Sequence, residues 1–198
     1  MIKIKFIGML FAFSLFVIND VQAKTFNIEE FYLDNGLQVV VIENHKAPIV
    51  KQMLFYKAGA VDEMPGKGGI AHLLEHLMFR GTNKIKGQNF NKLMEENGAE
   101  SNAFTSRDVT AYHQFVDVSR LELAMFLEAD RMKNLDISED DFETEKNIVF
   151  QERKQRIDNN PQAVFMEKLN KVLWQDHPYG KPVTGSDEEI LTLKREDA

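Results

Sequence analysis

Short apolar runs broken by turn residues dominate the first third of the chain beyond its N-terminal segment. FYLDNGLQVVVIEN (Phe31 to Asn44) places Asp34-Asn35-Gly36 before a β-branched run, Leu37 to Ile42, which predicts a hairpin. Ile49 to Ala60, after Pro48, reads as a further strand. VDEMPGKGG is a breaker-rich loop, and Gly87 to Gly98 a short helix closed by its final glycine. Ala99 to Val118, rich in Thr, Val, Tyr and Phe, predicts two more β segments. Beyond that the pattern turns helical. Ser119-Arg120-Leu121-Glu122 fits a capping box before LELAMFLEADRMKN. Ser138 can cap EDDFETEKNIVFQERKQRID, and Asn160-Pro161 opens QAVFMEKLNKVLWQD. Strands and helices in blocks predict an α+β fold, a largely antiparallel sheet with helices on one face.

GGIAHLLEHLMFRGTNK (Gly68 to Lys84) breaks an otherwise apolar helix pattern. Ile70, Leu73, Leu74, Leu77 and Met78 can form a core stripe, but His72, Glu75 and His76 interrupt the run. Residues four apart share a helix face, so the two imidazoles can meet at one place about 6 Å apart along the axis. Zinc uses this spacing, and Glu75 lies beside His76, in reach of a water on such an ion. The plain alternative is a helix with a wet face and two boundary histidines.

Composition narrows the chemistry. The chain has 198 residues, no cysteine and a formal charge of −7. The acidic balance disfavours nucleic acid as a partner. Without cysteine, disulfide scaffolds and thiolate metal sites are excluded, so a third metal ligand has to be His, Asp or Glu. The helix after Ser138 offers Glu145 and Glu152, two turns apart on one face, with Ile148 and Val149 between them. Carboxylates on a packed face need a partner, and a metal is one way to supply it. An exposed helix with Glu–Lys pairs is the other reading.

Met1 to Ala23 has Lys3 and Lys5, an apolar run from Phe6 to Ile18 and a small residue at the end. These are features of a secretory signal, too short for a comfortable membrane span. The expected organisation is a signal peptide over residues 1–23 and one domain over 24–198. An uncleaved signal segment acting as an anchor is the alternative, and the one route to a membrane.

HLLEH follows the His-x-x-Glu-His order of the inverted zincins. With ETEKNIVFQER, GAESNAFTSRDVTAYHQFV and HPYGKPVTGSDEEI, the chain resembles the pitrilysin-like metallopeptidases, which include insulin-degrading enzyme and the mitochondrial processing peptidase β subunit. Glu152 follows His76 by 76 positions, close to the interval at which that family places a ligand glutamate. The resemblance implies His72, His76 and Glu152 as zinc ligands and Glu75 as the base that activates water. It implies Glu145 as a carboxylate that orients a ligand histidine. Asn102, with Ala103 and Phe104, matches the family's substrate-binding segment on an edge strand that an extended peptide can join. Read alone, Asn102 is a turn or bulge residue and Phe104 a core or pocket-wall residue, as is Tyr112. His45 and His113 match no ligand position, and His177 reads as a loop residue.

The family's working unit has a second, similar half that supplies an Arg–Tyr pair. The resemblance therefore implies a half-unit, the N-terminal zinc-binding peptidase domain, completed by a C-terminal portion or a homologous partner subunit. The expected function is an exported, periplasmic or secreted zinc metalloendopeptidase acting on peptide or protein substrates. The alternative is a non-catalytic peptide-binding or assembly subunit of the same fold. Zinc storage fits poorly with five scattered histidines.

Overall fold

Asn35 and Gly36 make the first turn. Gly36 takes the left-handed conformation (φ 85°) that a side chain would resist. Its N–H donates to the Leu33 carbonyl, and Asn35 Oδ1 accepts from the Leu37 N–H. The turn joins β1 (Asn27–Tyr32) to β2 (Gln38–Glu43) as an antiparallel hairpin, as the sequence predicts. The structure is a computed structural model and describes residues 27–86 and 89–198. The segment read as an export signal lies outside the described residues, as does Gly87, where the sequence starts the short helix. Among the described residues, no helix is long and apolar enough to cross a membrane. The chain divides into two compact units, Met1–Ala47 and Pro48–Ala198, and the hairpin belongs to the first.

The second unit carries a three-stranded antiparallel sheet of β3 (Ile49–Tyr56), β4 (Glu100–Thr105) and β5 (Thr110–Asp117), in the order β3-β5-β4. β4 is an edge strand. β3 stops at Tyr56, short of the expected Ala60, because the chain leaves the sheet to hydrogen-bond the β4–β5 turn. Ala60 N–H donates to the Ser106 carbonyl and Val61 N–H to that of Arg107. A side chain at Gly59 would collide with the Arg107 carbonyl, so only glycine permits this approach.

The sheet is two-sided in chemistry. Tyr112, Gln114 and Val116 are buried, while Met53, Phe55, Phe104 and Phe115 are exposed on the opposite set of positions. The helices cover the first side: α1 (Ile70–Leu77), α2 (Asn89–Glu96) and α3 (Leu121–Asn134). The mixed α+β class with helices on one face is therefore as expected. One core cluster joins α2, α3 and the sheet through Phe90, Met94, Val116, Ala124 and Leu127. A second joins α1 to α4 (Glu139–Arg153) and α6 (Asp187–Thr192) through Leu73, Leu77, Phe142, Val149, Ile190 and Leu193. Each fully buried Leu, Ile or Phe stabilises by about 1.5–3 kcal/mol, so α1 and α4 are held rigidly side by side.

Two caps form as expected and one does not. Ser138 Oγ accepts from the Asp141 N–H at the start of α4. Asn160 Oδ1 accepts from Gln162 and Ala163 at the start of α5 (Pro161–Trp174), with Pro161 in the first turn. Ser119, in contrast, caps nothing. It lies in a single 3-10 turn whose N–H is taken by Asp117, and α3 starts behind it without a side-chain cap. α4 ends at Arg153 and passes into one π-helical turn, Lys154–Asp158.

Candidate metal centre and active site

Gly68 and Gly69 let a loop lie against the start of α1. Gly69 is left-handed (φ 89°), and a side chain there would meet the Thr184 carbonyl. Glu63 caps the helix from the preceding loop: its Oε1 accepts the N–H groups of Gly69 and Ala71, each at 3.0 Å. The helix is thereby fixed at its start as well as along its buried stripe. Leu73 and Leu77 face the core, and His72, Glu75 and His76 lie on another face, with His72 and Glu75 nearly buried.

α4 brings the third side chain. Glu152 Oε2 lies 3.4 Å from His76 Nε2 and 3.9 Å from His72 Nε2. One ligand atom from each of the three residues falls within 4.8 Å of the other two. Ligands at about 2.0–2.1 Å in a tetrahedron stand about 3.3 Å apart, so the trio can hold a zinc-sized cation once its atoms draw in from separations of up to 4.8 Å. Two imidazoles and a carboxylate are a donor set suited to that ion. Among the described residues, no other group of His, Asp and Glu converges in this way.

The surroundings settle which atoms are free. Glu145 Oε2 lies 3.0 Å from His76 Nδ1, which makes Nδ1 the donor and turns Nε2 toward Glu152. Glu145 Oε1 accepts from Arg80 Nε at 2.5 Å. Burial pushes the Glu145 carboxyl up, but the His76 hydrogen bond and the Arg80 charge outweigh it and hold the group below its usual range. Burial alone would lower His76, and the carboxylates of Glu145, Glu152 and Glu75 overcome it and raise the imidazole. His72 is pushed down to about 4, by burial first and by neighbouring His76 second, so it stays neutral and able to donate a lone pair. Burial raises Glu75 above the ordinary carboxylate range despite the hydroxyl of Thr105, which donates to its Oε2.

The substrate-binding candidates divide. Asn102 is a regular strand residue opposite His113, not a turn or bulge. Asn102 and Phe104 are exposed, whereas Ala103 and Thr105 occupy the half-buried alternate positions. Thr105 is therefore the residue of β4 that reaches the helix, and Asn102 Oδ1 accepts the Ala103 N–H. Tyr112 is buried in the core and Phe104 is not. Ile148 does not lie on the packed face: it is 44% exposed while Val149 is fully buried, because α4 turns Val149 and not Ile148 toward α1. His45 sits in an exposed turn, and His177 caps the short turn Pro178–Gly180 by accepting from Tyr179 N–H.

Residues 38–187 match the family described as Insulinase (Peptidase family M16). The chain belongs to this family. It is 37% identical over 169 residues to the zinc protease PqqE of Helicobacter pylori, covering 84% of this chain and 38% of that protein. It is 32% identical over 165 residues to a probable mitochondrial-processing peptidase subunit beta of Schizosaccharomyces pombe, covering 83% and 36%. The crystal structure of a protease from Helicobacter pylori superposes with a TM-score of 0.83 at 34% identity, over 86% of this chain and 41% of that one. The chain thus spans about two-fifths of the length of these M16 relatives, and its fold corresponds to part of theirs.

Proposed function

We propose that this chain is the zinc-binding, N-terminal portion of an exported metalloendopeptidase, with His72, His76 and Glu152 as ligands. The convergence of those three side chains from two helices carries the reading, and M16 relatives named as zinc proteases support it. Zinc held by these residues would supply a Lewis acid that lowers the pKa of water toward neutrality. Glu75 would accept a proton from the attacking water and return it to the leaving amine, a role its raised pKa suits. Glu145 keeps His76 oriented, and the Arg80 guanidinium balances its charge. An extended peptide adds to the open edge of β4 beside Asn102, Ala103 and Phe104, with backbone hydrogen bonds setting its register. The remaining three-fifths of a relative-length protein, or a partner subunit, closes the site over the substrate. Export rests on the Met1 to Ala23 segment, read from sequence.

Glu75→Gln in the full-length protein tests the assignment. The variant is expected to keep its zinc and lose hydrolysis of an unstructured peptide by at least about 100-fold. A zinc-loaded E75Q with undiminished turnover would overturn the role of Glu75.

A further inference from the structure

Glu152 uses its two oxygens differently. Oε2 faces the imidazole pair, while Oε1 lies 2.5 Å from Nη1 of Arg156, one turn further on. We propose that Arg156 is a positioning residue for the metal, holding Oε1 so that Glu152 offers a single oxygen to the ion. The inference rests on the zinc reading of the same site.

The argument is one of coordination number. An unrestrained carboxylate at the end of a flexible side chain can swing and bind an ion through both oxygens, which would occupy the position that water needs. A guanidinium paired with Oε1 opposes that swing through its opposite charge. The backbone beneath this pair is itself fixed. Arg153, next to Glu152, is nearly buried and forks onto Glu167 through Nη1 and Nη2, at 2.8 and 3.0 Å. It also donates to Asp187 and Thr184. Lys154 pairs with Asp158 and Asp187. Arg156 thus stands on an anchored π-helical turn, a local widening often found at functional sites. Its charge also repels the ion, but its side chain is 73% exposed, so water screens that long-range term while the direct contact with Oε1 acts locally.

The test uses this chain with zinc in a chelator competition and with cobalt(II) as a spectroscopic stand-in. R156A is expected to bind zinc about tenfold more weakly than wild type. Its cobalt form is expected to lose visible absorption, as a four-coordinate ion becomes five-coordinate. R156K, which keeps a charged donor four residues from Glu152, is expected to recover most of both. Equal or tighter zinc binding by R156A with an unchanged cobalt spectrum would overturn the proposal. A wild-type chain that binds neither metal would instead overturn the zinc reading on which it stands.

Discussion

The hydroxyl of Thr105 donates to Oε2 of Glu75 across 2.5 Å. It is the contact that joins the edge strand β4 to the proposed base on α1. A peptide seated on β4 would therefore bear on a strand already bonded to the group that handles the proton. Thr105→Val keeps the shape and removes the donor. In the full-length protein it is expected to lower kcat about tenfold with little change in KM, and Thr105→Ser to restore it. Steady-state kinetics on the three proteins checks this, and a change confined to KM would contradict it.

Arg131 is 1% exposed and has a role unrelated to the metal. Its Nε and Nη2 hold Glu128, whose Oε2 also accepts from Gln114, and its guanidinium lies 4.3–5.0 Å from the ring centroids of Tyr112, Phe90 and Phe79. Removing one partner leaves the other charge buried. Arg131→Met is expected to destabilise the fold by about 3–5 kcal/mol, and the double variant with Glu128→Leu to recover much of that loss. Urea unfolding measures both. A single variant within 1 kcal/mol of wild type, on the order of an exposed pair, would contradict the account.

Glu63 gives stability a pH dependence. Burial pushes its carboxyl up to about 7, against the pull of the Ala71 and Gly69 N–H groups, and its Oε2 is buried without a partner. In the unfolded chain the group ionises near the ordinary value of 4.5. Its contribution is therefore intact below that value and is lost as pH rises from there to about 7. Glu63→Gln cannot ionise. Between pH 5 and 8 wild type is expected to lose stability relative to this variant by on the order of 2 kcal/mol, the full effect being reduced by the group's remaining solvent contact. Parallel unfolding curves at both pH values would contradict this.

The local half of the site could be read directly from the chain. His72, Glu75 and His76 are set by helical spacing alone, and the hairpin, the strands and the helices follow from turn chemistry and periodicity. Glu152 needed the family interval, because nothing local says that α4 packs against α1. The contacts of Arg80, Thr105, Arg156 and Glu63 could not be found. Each is made through a partner's position in space, although Arg80 stands four residues after His76 and Arg156 four after Glu152. The Ser119 cap failed for a related reason. Asp117, at the end of β5, captures the first free N–H, so the helix begins behind a different turn. Ile148 and Val149 differ by one helical step, and only packing decides which of two adjacent apolar residues is buried.

Anomalous scattering at the zinc edge, from crystals of the chain grown with saturating zinc, is the most direct measurement. One strong peak is expected within about 2.0–2.2 Å of His72 Nε2, His76 Nε2 and a single oxygen of Glu152. A zinc-saturated crystal with no peak there, or with Glu152 turned away from the two imidazoles, would contradict the assignment.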